Sequence, residues 1–166
     1  MKKNYALNSN VTKISSIKEM LELAVKEAGD KNAFEYRDET NHDKIVKVTY
    51  KEFVKDTKEL GTALASLGME NKHIAIIGAN SYKWLTVYLT VLKSTGVFVP
   101  IDRELPCKDI INVLKHSDSE VLFYSEKYEK WIKEIKENVP NIKFFIGLNR
   151  KEHDENILSY DIFKIV

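Results

Sequence analysis

The sequence predicts an α/β protein in three layers: a mostly parallel sheet, helices on both of its faces, and an antiparallel hairpin towards the N-terminus. Two observations lead to this prediction. From residue 73 onward, short apolar runs rich in β-branched and aromatic residues alternate with helical stretches. The runs are apolar enough to be covered on both faces, which favours parallel strands joined by right-handed crossovers.

Composition is that of an ordinary globular protein. The chain has 166 residues, 43% hydrophobic and 31% charged, a length that suits one domain. We therefore expect a polar lead-in at 1–15 and one α/β domain at 16–166. Its 26 basic and 25 acidic residues leave a net charge of +1, which argues against nucleic acid as a partner because few cations remain to neutralise phosphates. No apolar run approaches the ~20 residues of a transmembrane helix.

The N-terminal residues and the cysteine content bear on location. The first residues contain two lysines but no apolar segment, so we expect no secretion signal. A single cysteine, Cys107, excludes an internal disulfide and fits a reducing compartment. The histidines are too far apart for metal-ligand spacing. The sequence thus predicts a cytoplasmic protein without a metal site.

Capping signals mark the first two helices. A capping box at Ser16–Glu19 begins a helix that Gly29 ends, and a second box at Thr49–Glu52 begins a longer helix that Gly68 ends. Alternating valines and lysines between these helices indicate a hairpin with one wet face. Its two strands are predicted at 33–37 and 44–48.

The second half of the chain supplies the parallel sheet. Four apolar runs predict strands at 74–77, 97–101, 121–124 and 142–146. Helices are predicted at 81–93, 106–116 and 126–139. The helix at 81–93 is apolar nearly all round, so we expect it to be buried on more than one side.

Asn80 and Ser81 follow the first run of the sheet, at a position where a nucleotide-binding turn can lie. One glycine, Gly78, stands where a dinucleotide fingerprint needs three, and no G-x-x-x-x-G-K-[ST] loop occurs in the chain. A helix N-terminus there could attract an anion. A plain helix cap is the favoured interpretation.

Four other residues are weighed as candidates for chemistry. Asp102 directly follows the second run, at a strand end where α/β folds place functional residues. The favoured interpretation is a turn residue that pairs with Arg103 or with a backbone amide. Trp84 and Tyr88, four residues apart on one helix, could line an apolar ligand pocket, although a core pair is favoured. Cys107 is interpreted as a core residue, because His116 lies half a turn away from it.

Several segments stand in the order found in one large enzyme family. They are T-Y-K-E-F at 49–53, H-I-A-I-I-G-A-N-S at 73–81, G-V-F-V-P-I-D at 96–102 and E-L-P at 104–106. From Ser16 to Phe163 the chain resembles the N-terminal part of the adenylate-forming enzymes. It is similar in particular to the acyl-CoA synthetases that activate long-chain fatty acids.

The resemblance implies a partial N-domain of a ligase that consumes ATP with Mg²⁺, forms an acyl adenylate from a fatty acid or another carboxylate, and transfers the acyl group to CoA. The family's phosphate loop, its aromatic-Gly-x-Thr-Glu segment, its ribose-binding aspartate and its late catalytic lysine have no counterpart in the chain. We therefore expect an inactive N-terminal fragment without catalytic, cofactor-binding or metal-ligating residues, able to self-associate through surface that the missing part would cover. The alternative is a non-catalytic α/β domain that binds a small ligand or a protein.

Overall fold

The computed structural model describes residues 12–38, 41, 43–94 and 96–164. The helices are α1 (Ile17–Ala28), α2 (Tyr50–Ser66), α3 (Tyr82–Lys93), α4 (Cys107–His116), a 3₁₀ helix (Glu126–Trp131), α5 (Ile132–Asn138) and α6 (Tyr160–Phe163). The strands are β1 (Asn32–Arg37), β2 (Ile45–Thr49), β3 (His73–Ile77), β4 (Val97–Ile101), β5 (Val121–Tyr124), β6 (Phe144–Gly147) and β7 (Ile157–Ser159). The predicted lead-in at 1–15 falls largely outside the described residues.

Five strands form a parallel sheet in the order β4-β3-β5-β6-β7. Successive side chains of β3 pack on opposite faces of this sheet. Ile74 and Ile76 pack with α2 and α3 on one face, whereas Ala75 and Ile77 pack with α4 and α5 on the other. Both faces of the sheet are therefore covered by helices, and the predicted three-layer α/β class is confirmed.

A smaller core joins the N-terminal elements. β1 and β2 pair antiparallel as predicted, and Val48 of β2 packs with Leu21 of α1 and with Phe53 and Val54 of α2. Part of α3 packs against the same cluster. The prediction that α3 is buried on more than one side is confirmed.

The two predicted capping boxes differ in the structure. At Thr49 both halves form, since its side chain accepts from the Glu52 N–H while the Glu52 carboxylate accepts from the Thr49 N–H. At Ser16 only the first half forms, because the Glu19 carboxylate accepts from the N–H of Ser15 instead, at 2.7 Å. The prediction of a complete capping box at Ser16–Glu19 was therefore wrong, since only the contact from the Glu19 N–H to the Ser16 side chain forms.

Two predictions in the second half of the chain need correction, and one strand was missed. The helix predicted at 126–139 is divided into the 3₁₀ helix and α5, a division that buries Tyr128 and lets its hydroxyl donate to Arg103 O at 2.8 Å. β6 begins at Phe144 rather than at Ile142, whose N–H is held in a turn by Val139 O. The three-residue β7 was not predicted, because it is too short to show a period.

The outer edge of β4 contains a proline. The Val97 N–H donates to Lys72 O, so residues 97, 99 and 101 hydrogen-bond towards β3, while Phe98 and Pro100 direct their backbone groups away from the sheet. Pro100 therefore removes no hydrogen bond between β4 and β3. A proline is tolerated in this strand because its nitrogen faces the open edge.

Candidate functional site

The carboxyl ends of the parallel strands meet along one edge, which is where ligands bind in open α/β sheets. A cleft of about 680 Å³ opens there beside β5 and β6. Its walls come from the start of α3, the ends of both strands, the 3₁₀ helix, the connection between β6 and β7, and α6. The side chains that matter to its chemistry belong to Lys83, Tyr124, Glu129, Arg150 and Asp161.

Tyr124 ends β5 at the floor of the cleft. Its side chain is fully buried, and within the described ranges its hydroxyl makes no hydrogen bond. Burial and the nearby Glu129 carboxylate raise the pKa of this phenol, so its ionised form is disfavoured even in alkaline solution. Gly147 makes room for the ring, since a Cβ at residue 147 would lie 3.2 Å from the Tyr124 hydroxyl oxygen.

Arg150 organises the connection between β6 and β7. Its guanidinium pairs with Glu129 of the 3₁₀ helix and with Asp154 of the same connection, the latter at 2.7 Å. Its backbone carbonyl accepts a hydrogen bond from Ser159 Oγ at 2.7 Å. The side chain is 15% exposed, so these contacts hold the connection in place over the sheet.

Lys83 fixes the opposite wall. Its ammonium donates to Leu148 O and pairs with Asp161, both at 2.8 Å. The two inward cations of the cleft, Lys83 and Arg150, are therefore already bound to carboxylates. Lys151, the third cation of the lining, forms no ion pair within the described residues but is exposed. One exposed lysine beside two occupied cations fits a triphosphate poorly, because a triphosphate needs several cations free to contact its oxygens.

The structure separates the candidates predicted at the strand ends. Ser81 is the N-cap of α3 and accepts from the Trp84 N–H at 3.2 Å, as the favoured interpretation required. Asn80 lies beside it, exposed, at a second depression of about 510 Å³ next to the hairpin. Asp102 accepts from the Glu104 N–H at 2.9 Å, the turn contact that was favoured. None of the three lines the main cleft.

Trp84 and Tyr88 stack with ring centroids 5.7 Å apart, and both meet Phe98 of β4 edge to face. Trp84 and Phe98 pack against the core between the sheet and its α2–α3 layer. Trp84 is half-buried and also lines an apolar depression of about 360 Å³ beside the hairpin, so its core contacts do not exclude the pocket interpretation. Cys107 packs beside the opposite core, and burial raises the pKa of its thiol to about 11, so the thiolate is disfavoured.

Sequence reasoning missed the residues that do line the cleft. Tyr124 could have been found, because it is the last residue of a predicted strand. Arg150 gave no signal, since its partner Glu129 lies on a different segment, the 3₁₀ helix, 21 residues earlier in the chain. Across the ranges that the structure covers, no group of three or more His, Cys, Asp or Glu side chains is placed to hold a metal ion. No helix in those ranges has the length and apolarity needed to cross a bilayer.

The model of one protein family, described as AMP-binding enzyme, matches residues 21–160. Among curated proteins, 4-hydroxybutyrate–CoA ligase 2 of Metallosphaera sedula is 29% identical over 120 residues, which is 72% of this chain and 21% of that protein. The uncharacterized acyl–CoA ligase YtcI of Bacillus subtilis is 30% identical over 101 residues, which is 60% of this chain and 19% of that protein. The chain thus spans about a fifth of the length of these relatives.

Solved structures share the fold. The anthranilate CoA ligase AuaEII in complex with anthranoyl-AMP superimposes with a TM-score of 0.76 at 17% identity, over 94% of this chain and 28% of that one. A putative long-chain-fatty-acid CoA ligase from Rhodopseudomonas palustris gives 0.78 at 14% identity, over 90% and 36%. At these identities the likeness concerns the arrangement of helices and strands.

Proposed function

Because the chain belongs to the family of AMP-binding enzymes, we propose that it is the N-terminal part of an ATP-dependent ligase that joins a carboxylic acid to CoA. The observation that carries the proposal is the family match over residues 21–160, together with an uninterrupted parallel sheet in the same stretch. The complete ligase would form an acyl adenylate and pyrophosphate, and would then transfer the acyl group to CoA.

The proposed role of these 166 residues is that of a scaffold. Their strand ends would position loops contributed by other parts of the ligase, and the Arg150 and Lys83 contacts would keep the edge of the sheet fixed while those loops bind. ATP, Mg²⁺ and CoA belong to the complete ligase in this proposal. The chain alone would lack adenylation activity, because the two part-buried cations of the cleft, Lys83 and Arg150, are held by carboxylates and do not point freely at a transferring group.

Carboxylate-dependent exchange between ATP and pyrophosphate tests this proposal. The 166-residue chain is compared with a chain extended through its downstream reading frame, each with Mg²⁺ and an acid series from acetate to palmitate. Exchange by the extended chain alone supports the proposal. Exchange by the 166-residue chain would contradict the scaffold role, and no exchange by either chain would contradict the ligase assignment.

We propose a fatty acid as the substrate of the complete ligase. The motif N-S-Y-x-W at 80–84 supports this choice, because it is similar to the long-chain branch of the family. The same exchange assay tests the choice of substrate, since the acid that gives the fastest exchange indicates the preferred chain length. Cytoplasmic location remains part of the proposal, supported by the single cysteine.

The second candidate is a non-catalytic domain that associates with itself or with another protein. The open edge of β4 favours it, because Val97 is 46% exposed there and Phe98, Trp84 and Tyr88 are only half-buried. Light scattering tests it: a dimer or larger species supports association. A dispersed monomer that binds no hydrophobic dye would contradict it.

A further inference from the structure

The outer edge of β4 combines unpaired backbone groups with an apolar surface. β4 is an end strand of the five-stranded sheet, and within the described residues no strand pairs with its outer side. Val97 is exposed on this edge, and the half-buried Phe98 ring contacts the rings of Trp84 and Tyr88. The edge therefore offers hydrogen bonds and apolar contact together, which suits the addition of another strand.

The backbone donors of this edge lie in the first half of the strand. Because the Val97 N–H bonds to Lys72 O, the alternation of the backbone turns Gly96, Phe98 and Pro100 outward. Gly96 and Phe98 each bring an N–H and a carbonyl, whereas Pro100 brings a carbonyl alone. A partner strand is therefore best placed where it pairs with Gly96 and Phe98 and does not need a donor from the proline.

A second copy of the same strand meets this requirement. When two β4 strands lie antiparallel about a two-fold axis at Val97, Gly96 of each copy faces Phe98 of the other. Both outward N–H groups of each copy then donate to outward carbonyls of the other copy. Pro100 falls opposite Ser94, whose N–H already bonds within the C-terminal cap of α3. The ladder thus ends before the proline and loses no donor to it.

The side chains fit the same register. The two Val97 residues meet at the axis as a pair without direct hydrogen bonds, the closest kind of cross-strand pair, where β-branched side chains pack well. On the other face of the strand each Phe98 ring lies opposite Gly96 of the other copy, an arrangement in which an aromatic ring covers a glycine. Trp84 and Tyr88 continue the apolar surface beside Phe98.

We propose that the chain forms a two-fold dimer in which two copies of β4 pair antiparallel and join both sheets into one. The proposal rests on the second candidate function, self-association, and adds to it the partner, the strand and the register. It holds equally for a ligase fragment and for a non-catalytic domain, so the exchange assay of the ligase assignment tests a separate question.

Sedimentation equilibrium measures the dissociation constant of the dimer for the 166-residue chain and for two variants. Val97→Lys brings like charges face to face at the axis and should raise this constant at least about tenfold. The control, Ile45→Lys, adds the same charge at a similarly exposed apolar residue of β2 and should leave the constant within about twofold. Circular dichroism establishes that both variants are folded.

Disulfide cross-linking tests the register in a Cys107→Ser background. At the axis the Cα atoms of two Val97→Cys residues would lie ~4.5 Å apart, within the range that a disulfide spans. Ile45→Cys in the same background is the control and should not cross-link.

A dimer that Val97→Lys weakens and Val97→Cys captures supports the proposal. A dimer that Val97→Lys leaves intact would overturn the proposal while self-association itself stands. A dimer that Val97→Cys fails to capture would overturn the register. A chain that stays monomeric would overturn the proposal too, and would leave the edge to a segment of the complete ligase or to another protein.

Discussion

The Tyr82 hydroxyl donates a 2.6 Å hydrogen bond to one carboxylate oxygen of Asp56, and thereby ties the start of α3 to the middle of α2. The other oxygen of Asp56 accepts from the Lys164 ammonium at 2.7 Å. One part-buried carboxylate thus joins the first half of the chain to residues that follow α6. The Tyr82 ring also stacks on Tyr36 of β1, with centroids 5.4 Å apart.

Removing the Tyr82 hydroxyl should destabilise the protein while leaving the ring in place. We expect Tyr82→Phe to lower the free energy of unfolding by about 1.5 kcal/mol, because a hydrogen bond to a charged acceptor is lost. Tyr88→Phe is the matched control, since no residue in the described ranges hydrogen-bonds to the Tyr88 hydroxyl, and its ring is likewise held by an aromatic neighbour. Urea denaturation measures both, and equal effects of the two changes would contradict the prediction.

Two glycines should respond to alanine in opposite directions. A Cβ at Gly147 would lie 2.6 Å from Arg150 Cβ, so the connection after β6 must move and stability should fall. At Gly61, inside α2, the nearest atom would be Thr90 Cγ2 at 3.6 Å. Gly61→Ala should therefore stabilise the protein by about 0.5–1 kcal/mol through the helix preference of alanine. Thermal unfolding of both variants is the measurement, and a Gly147→Ala variant at least as stable as the parent would refute the steric argument.

The capping box at the start of α2 should contribute measurably to the free energy of unfolding. Thr49→Ala removes the acceptor of the Glu52 N–H, and we expect a loss of about 1 kcal/mol in the free energy of unfolding. Thr62→Ala, at an exposed position within the same helix, should change stability by less than about 0.5 kcal/mol. If denaturant titrations give the same change for both, the cap does not stabilise α2.

Glu120 should make stability depend on pH. It joins Lys72 before β3 and Lys143 before β6, and hydrogen bonds from Lys143 and Lys72 lower the pKa of its carboxyl below 4.5. A lowered native pKa contributes stability above pH 4.5, and this contribution disappears as pH falls through the native value.

Glu120→Gln should therefore cost about 0.5–1 kcal/mol at pH 7, since the pairs are partly exposed, and little at pH 3. The measurement is the difference in unfolding free energy between parent and variant at the two pH values. A difference that does not shrink at pH 3 would show that the ion pairs are not its cause.

The elements of the fold were predicted correctly from the sequence where local signals and the burial pattern agreed. Ile74 to Ile77 is apolar at every position because the strand is covered on both faces, and Gly68 ends α2 with a positive φ of 68°. The division after Trp131 was missed because the 3₁₀ helix is fixed by a hydrogen bond from Tyr128 to a residue of another segment.

The site was harder to predict than the fold. Ser81 and Asp102 were identified with their local hydrogen bonds, since both contacts lie within three residues. The cleft depends instead on Arg150, whose guanidinium meets Glu129 only after the sheet has brought the two segments together. Long-range pairing of this kind leaves no periodic trace in a sequence.

The proline in β4 has a consequence for aggregation. An extended chain that approached the open edge would find the Phe98 N–H, but two residues further on it would meet the Pro100 ring instead of a donor. Such a chain could not complete a regular ladder, so the growth of fibrils from this edge is disfavoured. Exchange of Pro100 for a residue with an amide hydrogen would remove that protection without touching any hydrogen bond inside the sheet.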